Sequence, residues 1–202
     1  MFDFLIKKLD NFKFSTSELL AYYSQVENNF NDLRWHAKGT LVDNEEHSVS
    51  KLSGWAVQSN HKEPQGALCP YDIVVLRDSE LIDESSNYQN HTKLVFGFAE
   101  KIINAVPYAN MMSIACHPPS TMLKEHVDYD IFLKVHLPIK FNPKSYFMLG
   151  EEKFVLKVGE AYLINTTIPH STNNMGDTER THLIFRIPVE QVEHFLATEI
   201  NI

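Results

Sequence analysis

The sequence has 202 residues, of which 44% are hydrophobic and 22% charged, as in an ordinary globular protein. We therefore expect a single domain, 1–202, with a full hydrophobic core. The net charge of -8 argues against nucleic acid and anionic membranes as partners, because an acidic field repels both. The sequence shows no disulfide framework, signal peptide or membrane span, so a cytoplasmic location is expected.

The first half of the sequence predicts two helices with short strands between them. Apolar residues at helical spacing indicate a helix from Ser15 to Phe30, with Ser15 or Thr16 as its N-cap. A second helix is predicted from Lys93 to Ala105, ending before Pro107. Strand-like runs cover 34–42, 54–59 and 72–76, and the polar stretch 78–92 indicates a loop or a weak helix.

From Pro107 onward the pattern changes to short strand-like runs separated by turn residues such as PP, NPK, LGEE, VGE and NMGD. Many short strands without helices between them predict a mainly β fold, a closed antiparallel sandwich or jelly roll over 107–188. The run Val189–Thr198 predicts a helix in the C-terminal portion, 189–202. The predicted strands are 109–116, 122–128, 132–139, 145–149, 153–158, 161–165 and 181–187.

Three residues have the spacing of a metal site. His126 and Asp128, two positions apart, leave the same face of a strand, and His170 follows several short strands later. Two histidines and one carboxylate are the ligand set that holds Fe(II) on one face and leaves the opposite positions open. The pair His126 and Asp128 alone would more readily be a strand end and a turn, and Asp130, on the same face, is an alternative ligand.

Arg180 follows His170 by ten positions and strengthens the metal interpretation. Its planar guanidinium grips a carboxylate in a bidentate way and cannot lose its charge, which suits a dicarboxylate that chelates iron at its other end. We therefore predict 2-oxoglutarate as co-substrate. Arg180, His182, Ile184 and Arg186 share one face of the predicted strand, and a solvated edge strand is the alternative, which explains Arg186 better than Arg180.

Lys134 and His136 share the polar face of another predicted strand, whose opposite face is apolar. We assign these two residues and His182 to the binding of the co-substrate, with plain surface polarity as an equal alternative for Lys134 and His136. His117 has no second ligand at metal spacing and is predicted to be structural. Asn174 lies in an apparent turn, where a backbone role with positive φ is expected.

The stretch from Ile114 to Ile187 resembles the aspartyl/asparaginyl β-hydroxylase family, which extends into the bacterial free-proline hydroxylases. The matching segments are HVDYD, KVHLPI and GEAYLINTTIPHSTNNMGDTERTHLIF. The resemblance implies a double-stranded β-helix, with residues 1–106 as flanking helices and strands that shape the pocket. It also implies Fe(II) bound by His126, Asp128 and His170, and 2-oxoglutarate bound by Arg180.

Two positions depart from the family pattern that this resemblance brings. Lys134 and His136 stand where the family often has an Arg-x-His pair that contacts the co-substrate, and lysine lacks the guanidinium fork. Arg186 stands where many bacterial relatives carry an acidic residue. Asp128 is present, although some animal members lack it, and this favours the bacterial branch.

The predicted reaction is therefore the hydroxylation of an amino acid, free or within a peptide, with Fe(II), 2-oxoglutarate and O2. Two alternatives stay open at this point. One is a cupin-type metalloenzyme that does not use 2-oxoglutarate, and the other is a non-enzymatic jelly-roll binding module. The oligomeric state is not predicted by any pattern in the sequence.

Overall fold

The computed structural model describes residues 2–36, 52–59, 90–128 and 131–202. Several sequence predictions fall on residues outside these ranges. They are the strand at 72–76, most of the strand at 34–42 and of the stretch at 78–92, and the alternative ligand Asp130.

Three helices lie in the described part of the chain. Helix α1 spans Thr16–Asn29, and the hydroxyl of its N-cap, Ser15, accepts a hydrogen bond from the Glu18 amide at 3.3 Å, as predicted. Helix α2 spans Gly97–Ala105, and helix α3 spans Val192–Ala197 directly after a 3₁₀ turn at Val189–Gln191. None of the helices in these ranges is long and apolar enough to cross a membrane.

The strands are short and follow one another closely after Pro107. In the N-terminal half they are β1 Ile6–Lys8, β2 Phe12–Lys13, β3 Trp35–His36, β4 Ser53–Ala56, β5 Gln58–Ser59 and β6 Asn90–His91. In the C-terminal half they are β7 Asn110–His117, β8 Thr121–His126, β9 Phe132–Lys140, β10 Ser145–Leu149, β11 Glu152–Phe154, β12 Tyr162–Ile164, β13 His170–Asn174, β14 Arg180–Pro188 and β15 Ile200–Asn201.

The strands form two main sheets. The larger has seven strands in the order β1-β12-β9-β14-β7-β4-β3, and the smaller has four in the order β11-β10-β13-β8. Phe147 and Leu149 of the small sheet pack with Tyr162 and Ile164 of the large sheet, so the two sheets face each other. This arrangement of short antiparallel strands is the predicted double-stranded β-helix, and the predicted fold class is confirmed.

The main hydrophobic core lies on the opposite face of the large sheet. Strands β9 and β14 contribute Leu133, Val135, Leu183 and Phe185, all fully buried, and the three helices cover this face. Burial raises the pKa of the Cys116 thiol to about 12, so this cysteine in the same core remains a protonated thiol.

The structure differs from the sequence predictions at both ends of the chain and at one strand. The terminal helix ends at Ala197, and strand β15 then pairs in parallel with β2. Strands from the first 106 residues join both edges of the large sheet, since β1 pairs with β12 and β4 pairs with β7. Strand β13 was not predicted, because its sequence HSTNN is polar throughout.

Candidate active site

Strand pairing brings the two predicted histidine ligands together. His126 is the last residue of β8, His170 is the first residue of β13, and they are direct partners in the antiparallel ladder. Asp128 lies just beyond the end of β8, where its amide donates to the Thr166 carbonyl at 2.9 Å. The expectation that His126 and Asp128 share one strand is therefore wrong, since a loop residue completes the site.

The three side chains converge on a common point. Their ligand atoms all lie within 4.8 Å of one another. The Nε2 atoms of His126 and His170 are 3.8 and 3.7 Å from the Asp128 carboxylate oxygens, which is too long for hydrogen bonds. Nitrogen and oxygen atoms that lie this close together without hydrogen bonds between them are arranged as in a cation-binding site.

The hydrogen bonds of the two imidazoles fix their tautomers. Nδ1 of His126 is 2.8 Å from the Lys124 carbonyl, and Nδ1 of His170 is 2.9 Å from the Ile168 carbonyl. Because a carbonyl can only accept, each Nδ1 must carry the proton, and each Nε2 then presents a lone pair toward Asp128. Metal-binding histidines are oriented in this way by the partner of their second nitrogen. The three residues therefore fit a divalent metal.

The protonation states also suit metal binding. Burial lowers the pKa of His170 to about 4, although the Asp128 carboxylate acts in the opposite direction. Burial and then the Lys134 ammonium lower the pKa of His126. Burial alone would raise the pKa of Asp128, but Lys134 and the two histidines lower it below its ordinary value. At neutral pH the site thus offers two neutral imidazoles and one carboxylate, the forms that coordinate metal.

Lys134 lies against one of the candidate metal ligands. Its Nζ atom is 2.5 Å from Oδ2 of Asp128, and its side chain is mostly buried. This contact places a residue predicted to bind the co-substrate beside the candidate metal-binding carboxylate. Its role toward the co-substrate stays a prediction.

Deeper between the sheets, His136, His182 and Arg180 form a connected row. The Nδ1 atoms of His136 and His182 are 3.2 Å apart, and Arg180 donates from Nε to Nε2 of His182 at 3.1 Å. The Arg180 guanidinium lies 4.6 Å from the ring centre of Phe147, which also stacks on His182. Burial, with the positive charge of Arg180, holds the pKa of both histidines well below its ordinary value.

This row has unused hydrogen-bonding capacity. Nε2 of His136 is buried and has no hydrogen-bond partner among the residues that the structure describes. Arg180 and His182 also line a small open cleft, whose other lining residues lie around the end of β9 and the start of β10. An aromatic floor and a cation beside a buried imidazole nitrogen suit a small anionic ligand.

The position of β14 in the large sheet decides between the two interpretations of Arg180 and Arg186, an inward-facing strand and a solvated edge strand. This strand lies in the middle of the seven-stranded sheet between β9 and β7, and Arg180 and Arg186 are 5% and 7% exposed. The interpretation of β14 as a solvated edge strand is therefore wrong. Both arginines lie on the face that looks toward the small sheet, opposite the core stripe.

His117, which the sequence predicted to be structural, lies beside Arg180. It is the ladder partner of Arg180 on β7, is 7% exposed, and its Nε2 is 3.5 Å from the Thr172 hydroxyl. Its Nδ1 has no hydrogen-bond partner within the described ranges. The sequence did hold one signal for this position. His117 alternates with Ser113 and Ala115 along β7, so all three side chains leave the face of the large sheet that looks toward the small sheet, which we call the inner face.

Asn174 has a different role from the one predicted. Its backbone lies in β13, and the only non-glycine residues with positive φ in the described ranges are Met111 and Ser120. The buried carboxamide donates to the carbonyls of His117, Pro118 and Thr178. Asn174 therefore joins β13 to the end of β7 and holds His117 in place through its backbone.

Comparison with known proteins shows which family and which folds this chain is similar to. The family model that describes aspartyl/asparaginyl β-hydroxylases matches residues 13–189. No curated protein matches the sequence. Similar solved structures include a predicted oxalate decarboxylase from Thermotoga maritima, with 16% identity over 44% of this chain and 74% of that chain and a TM-score of 0.35. Another is a cupin domain from Bordetella pertussis, with 20% identity over 39% of this chain and 80% of that chain and a TM-score of 0.33.

The family match covers most of the chain, well beyond the stretch from Ile114 to Ile187 in which the motifs occur. It contains the three candidate ligands and the row that leads to Arg180. The chain belongs to the aspartyl/asparaginyl β-hydroxylase family.

Proposed function

We propose that the protein is an Fe(II)- and 2-oxoglutarate-dependent dioxygenase that hydroxylates an amino acid, free or within a peptide. The observation that carries this proposal is the convergence of His126, Asp128 and His170, with their ligand atoms within 4.8 Å of one another. Two neutral nitrogens and one carboxylate suit ferrous iron, and no cysteine takes part in the cluster.

The protein contributes positions and electrostatics. When bound, iron and 2-oxoglutarate supply the oxidising chemistry, in which the keto acid yields succinate and carbon dioxide as one atom of O2 enters the substrate. His126, Asp128 and His170 would hold the ion, and the backbone carbonyls of Lys124 and Ile168 keep the two imidazoles oriented toward it.

The inner-face row would hold the co-substrate. Arg180 presents a guanidinium over Phe147, and His182 keeps it in place through a hydrogen bond. A carboxylate in contact with this guanidinium would gain charge-assisted hydrogen bonds in a region shielded from water, where such bonds are strongest. His136, with a buried Nε2 atom, and His117, the ladder partner of Arg180, would donate further hydrogen bonds.

Asp128→Ala tests the metal assignment. We expect loss of stoichiometric iron binding, measured anaerobically by equilibrium dialysis, and a fall of succinate production to background. The matched control is Asp177→Ala, which removes a carboxylate from the turn between β13 and β14 and should leave both measurements unchanged. Undiminished iron binding in Asp128→Ala would reject the assignment.

Arg180→Met separates a 2-oxoglutarate enzyme from a metalloenzyme that does not use this co-substrate. We expect a wild-type protein that binds 2-oxoglutarate in the presence of metal, and a variant whose Kd for 2-oxoglutarate rises by about 100-fold while iron binding is kept. Isothermal titration under anaerobic conditions measures both constants. A wild-type protein that binds iron but not 2-oxoglutarate would favour the alternative metalloenzyme.

A further inference from the structure

The carboxylate of the candidate metal site has a cation as its neighbour. The Nζ atom of Lys134 is 2.5 Å from Oδ2 of Asp128. The same oxygen is 3.7 Å from Nε2 of His170, and Oδ1 of Asp128 is 3.8 Å from Nε2 of His126. Each carboxylate oxygen therefore faces one imidazole nitrogen, and one of the two oxygens also contacts the ammonium.

The fold holds this ammonium close to the site. Lys134 lies on β9, whose backbone is fixed by pairing with β12 on one side and with β14 on the other. Its side chain is 16% exposed, and Oδ2 of Asp128 is buried from solvent. Charges in such surroundings are weakly screened by water and salt, so the ammonium acts strongly on an ion bound beside it.

The contact changes the charge balance of the site. At neutral pH the two imidazoles are uncharged, and the Lys134 ammonium compensates the Asp128 carboxylate. A divalent ion bound by the three ligands would share that carboxylate with the ammonium, and it would add positive charge that no group of the ligand set balances. The ammonium should therefore oppose the binding of the metal alone.

An orienting role for Lys134 would have the opposite effect, because groups that hold a ligand in place strengthen metal binding. The net gain from one hydrogen bond to a carboxylate is modest. The repulsion between an ammonium and a divalent ion that share one carboxylate is larger in a weakly screened site. We therefore expect the charge of Lys134 to outweigh its effect on the orientation of Asp128.

An anionic ligand of the metal reverses this balance. Its negative charge offsets the excess positive charge of the ion and the ammonium together, so the ion and the anion favour each other's binding. Such coupling is reciprocal, because each ligand changes the affinity for the other by the same factor.

We infer that Lys134 makes metal binding conditional on an anionic chelator. Its ammonium weakens the binding of the metal alone and strengthens the binding of metal and anion together. The inference rests on the proposed function, in which the chelator is 2-oxoglutarate, and adds a regulation of the same site, since metal and co-substrate are bound as a pair.

The test measures Mn(II) binding, so that it does not depend on turnover. Loss of the electron paramagnetic resonance signal of free Mn(II) gives the Kd of the ion alone, with oxalate and with 2-oxoglutarate, after correction for complexes of Mn(II) with each anion in solution. Oxalate chelates a metal but lacks the far carboxylate that 2-oxoglutarate would present to Arg180. It therefore reports on the metal end of the inner face.

Three substitutions of Lys134 separate charge from orientation. Lys134→Met removes the charge, Lys134→Gln removes it but can still donate to the carboxylate, and Lys134→Arg keeps it. We expect the Met and Gln variants to bind Mn(II) alone at least about tenfold more tightly than the wild type, and oxalate to enhance Mn(II) affinity at least about fivefold less in them. Lys134→Arg should stay within about threefold of the wild type in both measurements, because it retains the cation.

Lys7→Met, which removes an exposed lysine of β1, is the control for net charge and should bind Mn(II) as the wild type does. A Kd for Mn(II) alone that is unchanged or higher in the Met and Gln variants would overturn the inference, because Lys134 would then only orient Asp128. Equal enhancement by oxalate in the wild type and these variants, or an Arg variant that behaves like the Met variant, would also overturn it. Enhancement that depends on Lys134 with oxalate but is absent with 2-oxoglutarate supports the inference and rejects the proposed function, whereas no Mn(II) binding by any of the proteins would reject both.

Discussion

The two faces of the central strands β9 and β14 are both buried, yet they are chemically opposite. The face toward the helices consists of aliphatic and aromatic side chains, and the face toward the small sheet carries cations and imidazoles. The first set is Leu133, Val135, Leu137, Leu183, Phe185 and Ile187, and the second is Lys134, His136, Arg180, His182 and Arg186. Low solvent exposure therefore does not by itself identify the residues that hold this fold together.

The two faces make contributions of opposite sign to the stability of the fold. Each buried apolar side chain on the helix-covered face contributes about 1.5–3 kcal/mol to stability. A buried cation or imidazole is tolerated only where hydrogen bonds compensate for lost hydration. His182, for example, is buried between Arg180 and His136. Polar residues are retained at such cost where a ligand needs them.

Among the substitutions on these two faces, Phe185→Ala is expected to change the stability of the protein most. Phe185 is fully buried and its ring lies 6.0 Å from that of Phe12, so its truncation leaves a cavity in the main core. We expect the free energy of unfolding to fall by about 3–5 kcal/mol. Urea titration followed by circular dichroism measures this change.

The matching change on the inner face is Arg180→Met, which keeps the volume and removes the charge. Burial of a cation costs free energy, so its replacement by an apolar side chain of similar size recovers desolvation energy that offsets the lost hydrogen bond to His182. We therefore expect no loss of stability in this variant, although its 2-oxoglutarate binding is impaired. Equal destabilisation by the two substitutions would mean that the two faces do not divide stability from ligand binding.

The sequence predicted the division between these faces because it depends only on alternation along each strand. Leu133 and Val135 against Lys134 and His136 already define two faces without any knowledge of the partner strands. The same reasoning paired His126 with Asp128, although Asp128 lies beyond the end of β8, and His170 was found by its residue type and distance along the chain. The sequence pattern therefore carried most of the candidate site.

The features that the sequence pattern missed depend on the pairing of strands that are far apart in the chain. His117 and Arg180 are neighbours only because β7 and β14 pair in one particular register. The segment NNMGD has the composition of a turn, but the Asn174 carboxamide bonds to the carbonyls of His117 and Pro118, and this tertiary contact extends the strand. No local pattern encodes either contact.

The stability of the protein should depend on pH through the inner face. Burial, together with the nearby positive charge of Arg180, holds the pKa values of His117, His136 and His182 well below their ordinary value. The unfolded chain, with histidine pKa values near 6.5, binds more protons than the folded protein below that pH. These residues therefore stabilise the fold fully above about pH 6.5, and this contribution is lost as the pH falls below it.

The expected loss is about 1.4 kcal/mol per histidine for each pH unit below 6.5, down to the folded-state pKa. Urea titrations at pH 7.5, 6.5 and 5.5 measure the slope. His117→Gln should reduce it by the contribution of one histidine. A slope that does not respond to His117→Gln would show that this imidazole is not held neutral by the inner face.

Glu179→Gln should give the smallest effect, and it tests whether the outer surface near Arg180 contributes to the site. The Glu179 carboxylate accepts hydrogen bonds from Arg34 at 2.9 Å and from the Thr181 hydroxyl at 3.1 Å, just before β14 begins. Because this carboxylate is partly exposed, we expect a loss of at most about 1 kcal/mol, reduced further by added salt. Glu199→Gln, which breaks an exposed pair with Lys13, is the control and should be neutral. If Glu179→Gln raised the Kd for 2-oxoglutarate as strongly as Arg180→Met, the ion pairs on the outer surface would be positioning the guanidinium, and function would not be confined to the inner face.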